Sequence, residues 1–262
     1  MLDVTYYGNA AFAIASAGTT VLVDPYLTDS EECPWDASEV IDREDPDAVC
    51  VTHAAFDHVG DAPALARDEG LPVLTDPATA RYLRSEGVPA DRITSVIWGM
   101  TAEVGDLSIR ILETRHASIH EDDEEFVSGV PLSFLIRTGA DGAAPGDDAG
   151  AAGTNTSVYH MGDTSLFRDL ETYGDLHDPD VVLVGVGQAY DAAAEADGPI
   201  TPRISELSTE EAVLATRWLG ADRAVPMHYV GDERERFLDA MADAGDVPEA
   251  VPLDPGESLR VE

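Results

Sequence analysis

The stretch "THAAFDHVGD", residues 52–61, decides how the rest of the chain is read. It leaves the short apolar run "AVCVT" (48–52), which is β-branched and reads as a buried strand. Within six residues it sets out His53, Asp57 and His58. On a continuous helix the neighbours Asp57 and His58 would point about 100° apart. A loop leaving a strand end is therefore expected, since such loops, held by a rigid sheet, are where reactive groups sit. Alone, an H-x-x-x-D-H string is weak support for a metal site.

Three later stretches strengthen it. "ETRHAS" places His116 just after the strand "LSIRIL", "YHMGDTSLF" places Asp163 at a strand end, and "VPMHY" does the same for His228. Each candidate ligand stands where an apolar strand stops, so all of them can meet at one edge of a sheet. Imidazole nitrogen and carboxylate oxygen in this ratio suit Zn2+, with Mn2+ or Fe2+ as rivals.

Working outward, the first 23 residues read as three short strands punctuated by Gly8 and Gly18. Helices are expected after Asp61, after Asp76 with Pro77 at its first position, over 165–173, from the capping box Ser208/Glu211, and after Asp232. Strands dominate residues 93–138, and the small, acidic stretch 139–156 reads as a solvated loop joining two strands of a hairpin. Strands come in two batches, each followed by helices, which predicts two packed sheets with helices outside, in one domain over 1–262. The run "EDDEE" (121–125) reads as a solvated loop, His120 as a loop residue, His177 as a surface one, and Trp98 and Trp218 as packing residues. His160 reads as core or as a support to the ligands, and Asp24, ahead of Pro25, as a turn residue or as an orienter of a ligand histidine.

Composition bounds the partners. Fifteen basic residues, all arginine, face 52 acidic ones, for a formal net charge of −37. The acidic residues are spread along the whole chain, which points to a halophilic protein: in molar salt the Debye length is about 3 Å and self-repulsion fades. No basic stripe fits nucleic acid, and no apolar run is long enough to span a membrane. Cys33 and Cys50 are too few for a disulfide framework and read as reduced thiols of a cytoplasmic protein. Arg115 and Arg203 stand closest to the candidate loops and suit an anionic group on a substrate.

In their order, "THAAFDHVGD", "TRHAS", "YHMGDTSLF" and "VPMHY" resemble the metallo-β-lactamase superfamily, and more narrowly its branch of metal-dependent hydrolases similar to L-ascorbate-6-phosphate lactonase. The opening "YYGNAAFAIASAGTTVLVDPYLT" resembles that branch too, with Asn9 where a histidine is usual and Asp24–Pro25 kept. The resemblance implies an α/β (α+β) αββα sandwich, two mixed sheets flanked by helices. It implies that His53 and His116 hold a first metal, that Asp57, His58 and His228 hold a second, and that Asp163 bridges them. It implies hydrolysis of a small-molecule ester, lactone or phosphoester by a metal-bound hydroxide, with Asp57 orienting or deprotonating the water. Homo-oligomers are usual among similar proteins.

Ala55 departs from that pattern, which has a second histidine there. The first metal keeps three protein ligands, enough for a catalytic zinc, yet loss of a direct ligand costs at least the roughly 10–100-fold in affinity of an outer partner. The expectation is one tight ion at the second site and a weak, water-completed or empty first site. Two rivals remain: a binuclear site with a substitute such as His120, and a degenerate, non-catalytic binding protein.

Overall fold

In the computed structural model, residues 1–122, 125–139, 155–187, 190–191, 203–204 and 206–262 are described. The chain opens on β1 (Leu2–Gly8), β2 (Ala11–Ala15) and β3 (Thr20–Val23), then α1 (Ala37–Glu44), β4 (Ala48–Cys50), α2 (Phe56–Val59) and α3 (Ala62–Asp68). Next come β5 (Val73–Thr75), α4 (Pro77–Ser85), β6 (Ile93–Ser95), β7 (Thr101–Val104) and β8 (Leu107–Glu113). The pair β9 (Ile119–Asp122) and β10 (Glu125–Ser128) precedes β11 (Leu132–Thr138), β12 (Ser157–His160), α5 (Asp169–His177) and β13 (Val181–Gly185). A short pair, β14 (Tyr190–Asp191) and β15 (Arg203–Ile204), leads to α6 (Thr209–Leu219), β16 (Arg223–Met227), α7 (Glu233–Asp243), β17 (Glu249–Ala250) and β18 (Ser258–Val261).

Two seven-stranded mixed sheets result, ordered β18-β1-β2-β3-β4-β5-β6 and β17-β16-β13-β12-β11-β8-β7. Side-chain alternation along a strand explains how they stack. Leu2, Val4 and Tyr6 of β1, and Phe12 and Ile14 of β2, enter the core between the sheets, where they meet Ile109, Ile111, Phe134, Ile136, Leu183 and Val225. Tyr7, Ala13 and Leu22 face the other way, into a second cluster with Val40, Leu65 and Leu83 of the first helices. On the far sheet Leu135, Val182 and Val184 turn outward onto Leu170, Ala212, Leu219 and Phe237. Helix, sheet, sheet and helix thus form four layers, the αββα sandwich that the resemblance implied.

Local signals held in part. Ser208 and Glu211 form the expected capping box, and the Asp76 carboxylate caps α4 by accepting from Ala78 N and Thr79 N. Asp61 does not cap α3; its carboxylate instead accepts from Leu27 N and Thr28 N, tying that helix start to the loop after β3. The helix expected at 165–173 begins at Asp169, and α1 falls in a stretch where no helix was expected. Strands β11 and β12 pair antiparallel as the hairpin reading requires, although residues 140–154 of the connection lie outside the described ones. The acidic run 121–125 joins the antiparallel pair β9–β10 rather than a plain loop, with 123–124 outside the described residues. Trp98 is 39% exposed, held by its indole N–H donating to Pro131 O at 2.7 Å, so it is not a core residue. Trp218 packs beside the outer cluster under the Arg168 guanidinium. Both cysteines are buried and free.

Candidate metal centre

Four candidate ligands follow the C-terminal ends of strands, His53 after β4, His116 after β8, Asp163 after β12 and His228 after β16, as does the supporting Asp24 after β3; Asp57 and His58 lie on α2 just beyond β4. Those strands belong to both sheets, so the two sheets meet at one cluster of side chains. Its centre is the Asp163 carboxylate. Asp163 Oδ2 lies 3.1 Å from His58 Nε2, 3.6 Å from His228 Nε2, 3.7 Å from His116 Nε2 and 3.8 Å from His53 Nε2. Asp57 closes the ring with its Oδ2 3.1 Å from His228 Nε2.

Asp57 and His58 do lie on a helix, the single turn α2, which corrects the loop expectation for this stretch. The two side chains still meet because each has a different neighbour. Asp57 reaches His228, while His58, buried beneath it, reaches Asp163. Gly60 ends the turn at φ +41°, and a Cβ there would come within 2.4 Å of Pro25 O, so only glycine lets α2 press against the loop after β3.

The cluster holds three overlapping donor groups, each with ligand atoms within 4.8 Å of one another: His53, His116 and Asp163; Asp57, His58 and His228; and Asp163, Glu206 and His228, which shares members with the first two. Such a crowd of buried imidazoles and carboxylates needs a cation. His53 Nε2 and Asp163 Oδ1 are buried with no hydrogen-bond partner among the described residues, a costly arrangement unless an ion takes them up. The donor set therefore fits a divalent metal.

Charges follow the same geometry. Burial holds His53 and His116 below the ordinary histidine range. At His58 and at His228 burial works in the same direction, but it is outweighed by Asp163 and the other facing carboxylates, and both stand well above that range. For Asp163 and Asp57 burial, which favours the neutral form, is overcome by the surrounding histidines, and both stay well below the carboxylate range.

Supporting residues hold these groups in place. Asp24 is fully buried at φ 46°; its Oδ1 accepts from Thr52 N at 2.7 Å and its Oδ2 lies 2.7 Å from His58 Nδ1. His160 donates from Nε2 to Ala10 O at 3.0 Å and accepts at Nδ1 from Gly162 N at 3.2 Å, so both ring nitrogens are engaged by backbone. It stands beneath the Asp163 loop as a support. Asn9, at φ 49°, donates to Asp57 O at 2.8 Å and its own carbonyl accepts from His228 N, which joins the β1–β2 turn to both residues. His228 is itself left-handed at φ 52°, a strained setting for a histidine that the surrounding contacts maintain.

The two candidate arginines fare differently. Arg115 is half exposed, with its guanidinium held by Glu113 at 3.1 Å and Asp169 at 3.7 Å and stacked on Phe167. The Arg203 backbone lies in β15, and its side chain, like that of His120, lies outside the described residues. One buried group carried no sequence signal. Glu206, between β15 and α6, sits with Oε2 2.9 Å from His228 Nδ1, and burial and Asp163 push its carboxyl up to about 6. It belongs to no motif and is one of 52 acidic residues, so nothing marked it out.

Residues 19–229 match the Beta-lactamase superfamily domain. The chain belongs to the metallo-β-lactamase superfamily. Within it, the UPF0173 metal-dependent hydrolase of Methanopyrus kandleri is 31% identical over 265 residues, covering 99% of this chain and all of the relative. The one from Methanoculleus marisnigri is also 31% identical, covering 99% of this chain and 97% of its own. These likenesses place the chain in the UPF0173 family of that superfamily. Among solved structures, Igni18, a metallo hydrolase from Ignicoccus hospitalis, superposes with a TM-score of 0.75 at 25% identity, covering 98% of this chain and 97% of its own. Membership of a family of metal-dependent hydrolases implies a divalent metal, in keeping with the donor groups above.

Proposed function

We propose that this chain hydrolyses a small-molecule ester, lactone or phosphoester with one tightly held divalent ion at Asp57, His58, Asp163 and His228. The first group, His53 and His116 with Asp163, is weakened by Ala55. The observation that carries this reading is the Asp163 carboxylate surrounded by four imidazoles, two of them in a group that keeps its full complement of donors. When bound, such an ion acidifies water and polarises the bond to be cut. Zn2+ suits the donor set, with Mn2+ and Fe2+ as alternatives.

The chain's own residues supply the rest. Asp24 takes the Nδ1 proton of His58 as a hydrogen bond, which leaves Nε2 free to ligate. Asp57 stays ionised and is the most open of the ligands at 23% exposed, followed by His228 at 13%, so substrate approaches from their side. Asp57 is thus the group placed to orient or deprotonate a water there, while Asp163 anchors the interior. The lactonase-like substrate class rests on the resemblance of the opening strands and of the four motifs. The acidic composition supports a halophilic protein with no nucleic-acid partner, the two free cysteines are in keeping with a cytoplasmic one, and homo-oligomers are in keeping with the resemblance.

Elemental analysis of protein purified in high-potassium buffer without chelator tests the centre. About one ion per chain is expected, lost in Asp57→Ala or His228→Ala and kept in His53→Ala. Two ions would restore the binuclear reading. No ion, in folded protein offered zinc, manganese and iron, would favour the degenerate binding protein that Ala55 and Asn9 make the rival.

A further inference from the structure

The first two donor groups differ in what stands behind their histidines. A neutral imidazole carries one N–H and one lone pair, so a partner on one nitrogen decides which form faces the centre. His58 Nδ1 is backed by the Asp24 carboxylate at 2.7 Å, and its Nε2 faces Asp163 at 3.1 Å. His228 has a corresponding carboxylate on the other sheet's side, in ion-pair contact: Nδ1 lies 2.9 Å from Glu206 Oε2, and Nε2 faces Asp57 at 3.1 Å and Asp163 at 3.6 Å. The other group lacks such backing. Among the described residues, His53 Nδ1 meets only the Thr52 hydroxyl at 3.0 Å, and His116 Nδ1 is buried without a hydrogen-bond partner.

The Glu206 site is shaped for that side chain. Glu206 is 2% exposed, and a Cβ on Gly187 would fall 1.9 Å from its Oε2, so the carboxylate occupies the space that glycine leaves. A buried carboxylate set on the rear nitrogen of a ligand histidine raises the basicity of the front nitrogen and fixes the ring's orientation.

We infer that Glu206 is a positioning residue that keeps His228 protonated at Nδ1 with Nε2 turned to the ion, and that Glu206 and Asp24 together concentrate metal affinity in the Asp57/His58/His228 group. This rests on the metal centre proposed above.

The test uses metal-stripped full-length chain titrated with Zn2+ against a chromophoric chelator, for wild type, Glu206→Ala and Glu206→Gln. Histidine side-chain 15N spectra of the zinc-loaded proteins accompany the titration. Expected is one tight site in wild type, weakened roughly 10–100-fold in the alanine variant and less in the glutamine variant, whose amide oxygen still accepts. The His228 signals should report Nδ1–H in wild type and lose that single form in the alanine variant. Unchanged affinity in Glu206→Ala, or a proton on His228 Nε2, overturns the proposal. Equal losses in both variants overturn it in favour of Glu206 as a direct ligand. Should the alanine variant fail to fold, the glutamine variant and the wild-type spectrum decide. Wild type with no tight site would be a different failure, removing the metal centre itself and this role with it.

Discussion

On the proposed one-ion centre, replacing Ala55 by histidine should add a second ion. Ala55 is half-buried, stands between His53 and His58, and has ordinary extended backbone at φ −72° and ψ 147°. Its side chain caps nothing, so a larger residue removes no hydrogen bond. The neighbouring Ala54 N donates to Ser118 Oγ at 3.2 Å, which holds this loop beside the segment carrying His116. The substitution is therefore made where the first donor group lies, at a backbone cost within about 0.5 kcal/mol. A direct ligand is worth at least the about 10–100-fold of an outer one, or about 1.4–2.7 kcal/mol of binding free energy. With free zinc at about 100 times the new dissociation constant, the second ion adds about 2.7 kcal/mol to stability and raises the melting temperature by about 5–10 °C. Elemental analysis and thermal melts with and without zinc are the assays. A folded Ala55→His protein that still holds one ion, and melts no higher in zinc than wild type, would refute the claim that position 55 sets the stoichiometry.

Gly60→Ala should cost about 1–3 kcal/mol in strain and displacement, since the added Cβ meets Pro25 O at 2.4 Å and Tyr26 Cα at 2.5 Å; urea unfolding measures it, and wild-type stability would disprove the packing argument. The metal-free protein should lose stability as pH rises above 7. His58 and His228 have folded values raised above the unfolded 6.5 or so, so their contribution is complete below that and is lost as pH climbs through the folded values. Stability should also fall below about 6.5, where His53, His116 and His160, all held low by burial, must take up protons on unfolding. Denaturant curves of chelator-treated protein from pH 5 to 9 check both limbs, and a flat line above pH 7 contradicts the first. Finally, with 52 acidic residues against 15 arginines, the melting temperature should rise as KCl goes from 0.1 to about 2 M; a decrease would argue against adaptation to salt.

The layers and most of the centre were legible because strand-end positions carry both signals at once. An apolar run predicts the strand, and a histidine or aspartate just beyond it, as at 53, 116, 163 and 228, predicts the edge on which the ligands gather. What could not be read depends on tertiary contact. The turn α2 forms because Gly60 packs on Pro25 and Tyr26, and neither the spacing of Asp57 and His58 nor their chemistry reports that contact. Asp61 looks like a helix cap but is drawn away by two backbone donors 33 and 34 residues earlier. Glu206 is distinguished only by burial and by the glycine that makes room for it, and in a chain so rich in acid its identity conveys nothing.

Because the donors are divided between the sheets, an ion at this centre cannot nucleate the fold. Residues from 53 to 228 must already have met before a complete coordination set exists. A zinc finger folds as it binds its ion; here residues distant in the chain, from both sheets, must come together before the proposed coordination set is complete. By linkage an ion that binds only the assembled centre also stabilises it, so metal supply would raise the folded fraction as well as fill the site.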